Sequence, residues 1–133
     1  MIGLVAVAAL LIWGGKLYRA WGYYRASAAK QDMYYKYRQQ SRLVNENAAL
    51  HMQKNVDDVS TKMDIRDPRV LAALSHMKKL VKDLQNQALF DAEMVDYHFR
   101  LRQKYQHASS HPWVEVAPDP NSPPEPEPEP ESE

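Results

Sequence analysis

The sequence predicts an all-α protein: a single N-terminal transmembrane helix, two long amphipathic helices forming a hairpin or a kinked, coiled-coil-like rod, and a disordered acidic, proline-rich tail. Three observations predict it. The opening run MIGLVAVAALLIWGG carries no charged side chain. Residues 23 to 67 contain neither Gly nor Pro, the usual helix interrupters. Eight of the nine prolines lie at or beyond Pro112, where neither a helix nor a central strand is sustainable.

Charge is segregated along the chain although 17 Lys and Arg balance 17 Asp and Glu. Residues 16 to 42 hold seven basic groups and one acid, Asp32, whereas the stretch from Pro112 onward holds seven acids and no base. The absence of Cys excludes a disulfide framework, a thiol nucleophile and a thiolate metal site. Four glycines leave little material for a phosphate-cradling loop.

Residues 1–24 are expected to form the anchor. The uncharged run alone spans roughly 22 Å against about 30 Å for a bilayer core. Its continuation supplies the rest, with Lys16 and Arg19 snorkelling and Tyr18, Trp21, Tyr23 and Tyr24 at the headgroup level; Trp13 and Arg25 complete the expected membrane interface. The basic excess after the run places the N-terminus outside and the bulk of the chain in the cytoplasm. A basic aromatic helix over 25–42, with Tyr34, Tyr35 and Tyr37 among its basic residues, suits a bilayer with anionic headgroups rather than nucleic acid. The competing expectation is an exported protein: Ala26-Ser27-Ala28 imitates a signal cleavage site, although no basic region precedes the apolar run.

A first cytoplasmic helix is expected over 43–66. Ala49, Met52, Val56, Val59 and Met63 recur at heptad spacing, and Asn45 extends the stripe backward. Asp67-Pro68 then pairs a favoured N-cap with a favoured first helical residue, opening a second helix over 67–111. Val70, Leu74, Met77, Val81, Leu84 and Ala88 make its apolar stripe, opposite Lys78, Lys79, Lys82 and Asp83. Continuing the heptad would put Asp91 and His98 on the seam; a shifted stripe of Phe90, Met94, Tyr97, Leu101 and Tyr105 is expected to replace it. A hairpin would cover Val56, Val59 and Met63 with Leu74, Met77 and Val81, leaving apolar surface for a second copy or a protein partner through the second helix.

No catalytic, cofactor-binding or metal site emerges. His107 and His111 have the i, i+4 spacing of a shared helical face but lack a third ligand. Glu93, Asp96 and His98 do not reproduce Glu-x-x-His, and adjacent Asp57 and Asp58 point about 100° apart on a helix, unsuited to paired acid and base work. The tail, 112–133, ends in a Pro-Glu alternation that favours an extended chain. Trp113, with Val114 and Val116, is its apolar island, a candidate anchor on the helices or in a partner groove.

The stretch Tyr97-His98-x2-Leu101-Arg102-x-Lys104-Tyr105-x2-Ala108-x3-Pro112-Trp113-x2-Val116-x-Pro118-Asp119-Pro120, with the Pro-Glu run behind it, resembles the ends of short bacterial proteins that have one N-terminal hydrophobic helix. The resemblance covers about thirty residues and implies a bacterial inner-membrane, single-pass class with no activity or cofactor attached. An anchor leading into a helical stalk is also similar in plan to the ATP synthase b subunit, from which the proline-rich end departs. The expected function is a non-enzymatic, membrane-anchored scaffold or accessory subunit; the alternative is an exported helical interaction module.

Overall fold

Two helices, α1 (Ile2–Lys62) and α2 (Pro68–Ser110), account for the regular structure of the computed structural model, which describes residues 2–63 and 66–126 and the side chains from residue 9 onward. α1 passes unbroken through positions 24–25 and 42–43, as its lack of internal Pro allows. Near its end the Ser60 and Thr61 hydroxyls donate back to the Asp57 carbonyl at 2.8 and 3.0 Å, competing with the backbone ladder where the helix stops. Asp67 caps α2 as its sequence position predicts: its carboxylate accepts from the Arg69 amide at 2.8 Å, and its carbonyl accepts from Leu71 at 3.0 Å.

The chain divides into two compact units. One comprises Lys36–Val95 with Pro123–Glu133. Here α1 and α2 run antiparallel as a hairpin, because Val56 meets Leu74 and Val81 near the connection while Asn45 and Arg38 reach Asp91 at progressively earlier positions of α1. Val56, Leu74 and Val81 are buried, with Met52, Val59, Val70 and Met77 packed around them. Each fully buried side chain of this kind contributes roughly 1.5–3 kcal/mol. Leu84 is half-buried, and Met63, expected on the seam, stays exposed just beyond the end of α1.

The other unit comprises Met1–Tyr35 with Asp96–Ser122. Ala28, Leu101 and Tyr105 are its buried centre, with Tyr24 and Tyr97 against them. Cleavage at Ala26-Ser27-Ala28 would strip Tyr24 from this cluster and cut beside Ala28 itself. The tail, from Pro112 to residue 126, has no helix or strand, as its prolines require, but it is tied to α2 by side-chain hydrogen bonds described below. The last residues of the Pro-Glu run, 127–133, lie outside the described residues, as do Asp64 and Ile65 of the connection.

The structure corrects the expected membrane span. Among the described residues no helix is long and apolar enough to cross a membrane. The uncharged run is too short by itself, and α1 then continues through Lys16, Arg19 and Arg25 without a second apolar turn; Met1 and the side chains of the first apolar residues, 2–8, lie outside the described residues. The single-pass inner-membrane placement and its N-out orientation lose their basis with the span. The expected aromatic belt is likewise organised by protein contacts. Tyr24 stacks on Tyr105 at 6.2 Å between ring centroids, Tyr23 meets Tyr105 edge-on at 6.5 Å, and Trp21 stacks on Tyr18 while Arg25 lies 5.1 Å over its ring. Trp13 and Tyr18 remain exposed.

A second correction concerns the α2 seam. Phe90, Leu101 and Tyr105 are buried as the shifted stripe requires, but Asp91 and His98 are buried too. Polar residues of the continued heptad and apolar residues of the shifted stripe are thus buried together.

Candidate interaction surfaces

Asp91 is the most enclosed side chain described, with no exposed surface. It sits on α2 facing three α1 residues on one helical face, Arg38, Ser41 and Asn45, at spacings of three and four. One carboxylate oxygen accepts from Arg38 at 2.9 Å; the other accepts from the Ser41 hydroxyl at 2.7 Å and the Asn45 amide at 3.0 Å. Arg38 also lies 5.3 Å over the Phe90 ring. A buried carboxylate is tolerable only with such partners, and the arrangement fixes helix register rather than offering an open catalytic group. Sequence inspection missed it because these partners lie about fifty residues away.

Beside this node the same unit carries a groove of about 550 Å³ between the helices. Ala49, Ala88 and Ala92 form its small-residue floor, Leu50 and Leu89 its exposed apolar walls, and Arg42, Glu46, Gln53 and Gln85 its polar rim. Arg42 donates to Glu46 at 2.7 Å along α1. The floor is shallow because alanines face one another across the seam, so the neighbouring leucines stand clear of the pair. Leu74 and Val81 do not contribute: α1 already covers them.

In the other unit, polar groups also hold seam positions. His98 Nδ1 lies 2.7 Å from the Gln31 side-chain oxygen, and its ring packs near Tyr34 and Tyr97. Arg102 donates to Asp32 at 2.7 Å while its guanidinium lies 5.1 Å over Tyr35 and 5.2 Å over Phe99. Its Nε is buried without a hydrogen bond. Within the basic stretch from 16 to 42, Arg25, Lys30, Arg38 and Arg42 each face an aromatic ring or a carboxylate of the same chain, while Arg25, Lys30 and Arg42 stay exposed.

The tail is held at Asp119 and Pro120. Lys104 and Tyr105 donate to the two Asp119 carboxylate oxygens, the latter at 2.7 Å, and Tyr97 donates to the Pro120 carbonyl at 3.2 Å. Burial would raise the Asp119 pKa, but the hydrogen bonds from Lys104 and Tyr105 outweigh it and hold the carboxyl below its ordinary value. Burial, together with the bond to Asp119, pushes the Tyr105 phenol well above its ordinary value. Trp113, the candidate anchor, is exposed, and the edge of His111 lies against its ring at 5.6 Å between centroids.

His107 and His111 share a face as their spacing predicts, stacking at 4.7 Å, but among the described residues no three His, Asp or Glu side chains converge as a metal site. Asp57 accepts from Gln53 and Asp58 pairs with Lys62 along the exposed face of α1. No protein-family model, curated protein or solved structure matches the chain.

Proposed function

We propose that the protein is a non-enzymatic helical interaction module, a scaffold or accessory subunit, whose groove between Leu50 and Leu89 is closed by a second copy of the same chain. The carrying observation is a groove with apolar walls and a self-complementary rim. A two-fold axis through such a patch brings Arg42 of one copy toward Glu46 of the other and lets Gln53 and Gln85 serve as both donors and acceptors. The rim includes both charge signs, so no strongly charged foreign partner is called for. Heptad packing of two hairpins would form a four-helix arrangement, which seals the leucines that one hairpin leaves exposed.

Light scattering coupled to gel filtration tests this reading. The wild-type chain should elute at the mass of a dimer or higher oligomer, Leu50→Asp at the mass of a monomer with unchanged helix content. A wild-type monomer at all accessible concentrations would refute it.

A further inference from the structure

Three hydrogen-bond donors of α2 converge on two consecutive tail residues. Tyr97 and Lys104, seven positions apart, share one face of α2, and Tyr105, about 100° further round the helix, reaches the same segment from the neighbouring face. Together they grip both carboxylate oxygens of Asp119 and the carbonyl of Pro120. Tyr105 is itself buried, against Ala28 and Leu101, so its hydroxyl is fixed in place by the core rather than by the tail. The gripped segment is also preorganised. Pro118 and Pro120 have fixed φ, and Ala117 and Asp119, each preceding a proline, are biased to extended backbone. Little conformational entropy remains to be lost on docking.

We propose that Tyr97, Lys104 and Tyr105 form a peptide-docking site for an extended chain bearing one aspartate between two prolines, occupied in the isolated protein by its own Pro118-Asp119-Pro120 and open to the same motif supplied by another polypeptide. The tail also contains Pro124-Glu125-Pro126, the same pattern with one more methylene. With both carboxylate oxygens engaged while Tyr97 reads the next carbonyl, the longer glutamate side chain would shift the backbone out of register. The resident segment is joined to the end of α2 by the connection 111–118, so a free peptide competes with it at an effective concentration on the order of millimolar.

The test uses the full-length chain and a fluorescein-labelled peptide of residues 115–122, EVAPDPNS, followed by anisotropy. Asp119→Ala empties the site; it should bind the peptide about tenfold more tightly than wild type, in which the tethered segment competes. Adding Tyr97→Phe and Lys104→Met to Asp119→Ala should abolish binding while circular dichroism stays that of wild type. The same peptide with Glu in place of Asp should bind at least about fivefold more weakly. Equal affinity of wild type and Asp119→Ala, no binding to Asp119→Ala, or no preference for Asp over Glu would each overturn the proposal.

Discussion

Arg38 and Asp91, 53 positions apart in the sequence, meet at 2.9 Å inside the helical hairpin, and the aspartate is completely enclosed. Its remaining acceptor capacity goes to Ser41 and Asn45, so the carboxylate is satisfied by one face of α1 alone. Arg38 and Asn45 are one heptad apart, so a shift of α1 by one heptad would keep one of them opposite Asp91 but would break the set of three donors. The full set of three donors is therefore met in one register among those that the repeating apolar stripe would otherwise permit.

The first expected outcome follows from that enclosure. Asp91→Ala should destabilise the protein by about 3 kcal/mol, because it leaves the partly buried Arg38 without its carboxylate and Ser41 and Asn45 without their acceptor. Arg38→Met combined with Asp91→Leu should cost less than Asp91→Ala alone, since no charge is then stranded. Urea denaturation of the single and double variants measures both. Equal or additive losses would place the stabilisation elsewhere.

Arg102 offers a different case, a guanidinium between two rings. Arg102→Lys keeps the charge but loses the planar group that lies over Tyr35 and Phe99. It should lower stability by about 1 kcal/mol. Thermal unfolding compared with Arg100→Lys, whose partner is the exposed Asp96, provides the contrast; that second change should be nearly silent.

Tail docking should depend on pH at the extremes and not between them. The Asp119 carboxyl is held below its ordinary value, so docking is fully stabilised above the free carboxyl's pKa of about 4 and is lost as pH falls through the lower docked value. The Tyr105 phenol is held above its ordinary value, so docking is fully present below about pH 10 and declines as pH rises toward the elevated value. A spin label at Asn121→Cys should report a constant, restrained tail from about pH 5 to 9 and release on the acid side. A label equally mobile at pH 7 and pH 2 would contradict this.

Much of the hairpin is written locally. Asp67-Pro68 announces the start of α2, and the spacing of Val56, Leu74 and Val81 announces the buried seam, because capping and apolar periodicity depend on residues within a few turns. The polar part of the seam is not local. Asp91 and His98 look like interruptions of an apolar stripe until Arg38, Ser41, Asn45 and Gln31 are brought opposite them by the fold. The same limit explains the tail: Trp113 stands out by its hydrophobicity, whereas Asp119 docks through Lys104 and Tyr105, whose role is visible only once the chain has folded back. The aromatic residues from Tyr18 to Tyr24 invite a membrane reading by composition, yet Tyr23 and Tyr24 have Tyr105 to pack against. The groove was legible only as a quantity, apolar surface that two helices do not cover; its location at Leu50 and Leu89 required knowing that Leu74 and Val81 face inward.

The most direct measurement of the proposed self-association is site-specific crosslinking, which the absence of native cysteine makes clean. Leu50→Cys places one thiol on the groove wall, and Asn55→Cys places one on a different, exposed face of α1. Under mild oxidation Leu50→Cys should convert to a covalent dimer while Asn55→Cys stays monomeric. Equal crosslinking of the two variants, or none at Leu50→Cys at concentrations where light scattering reports an oligomer, would contradict closure of the groove by a second copy.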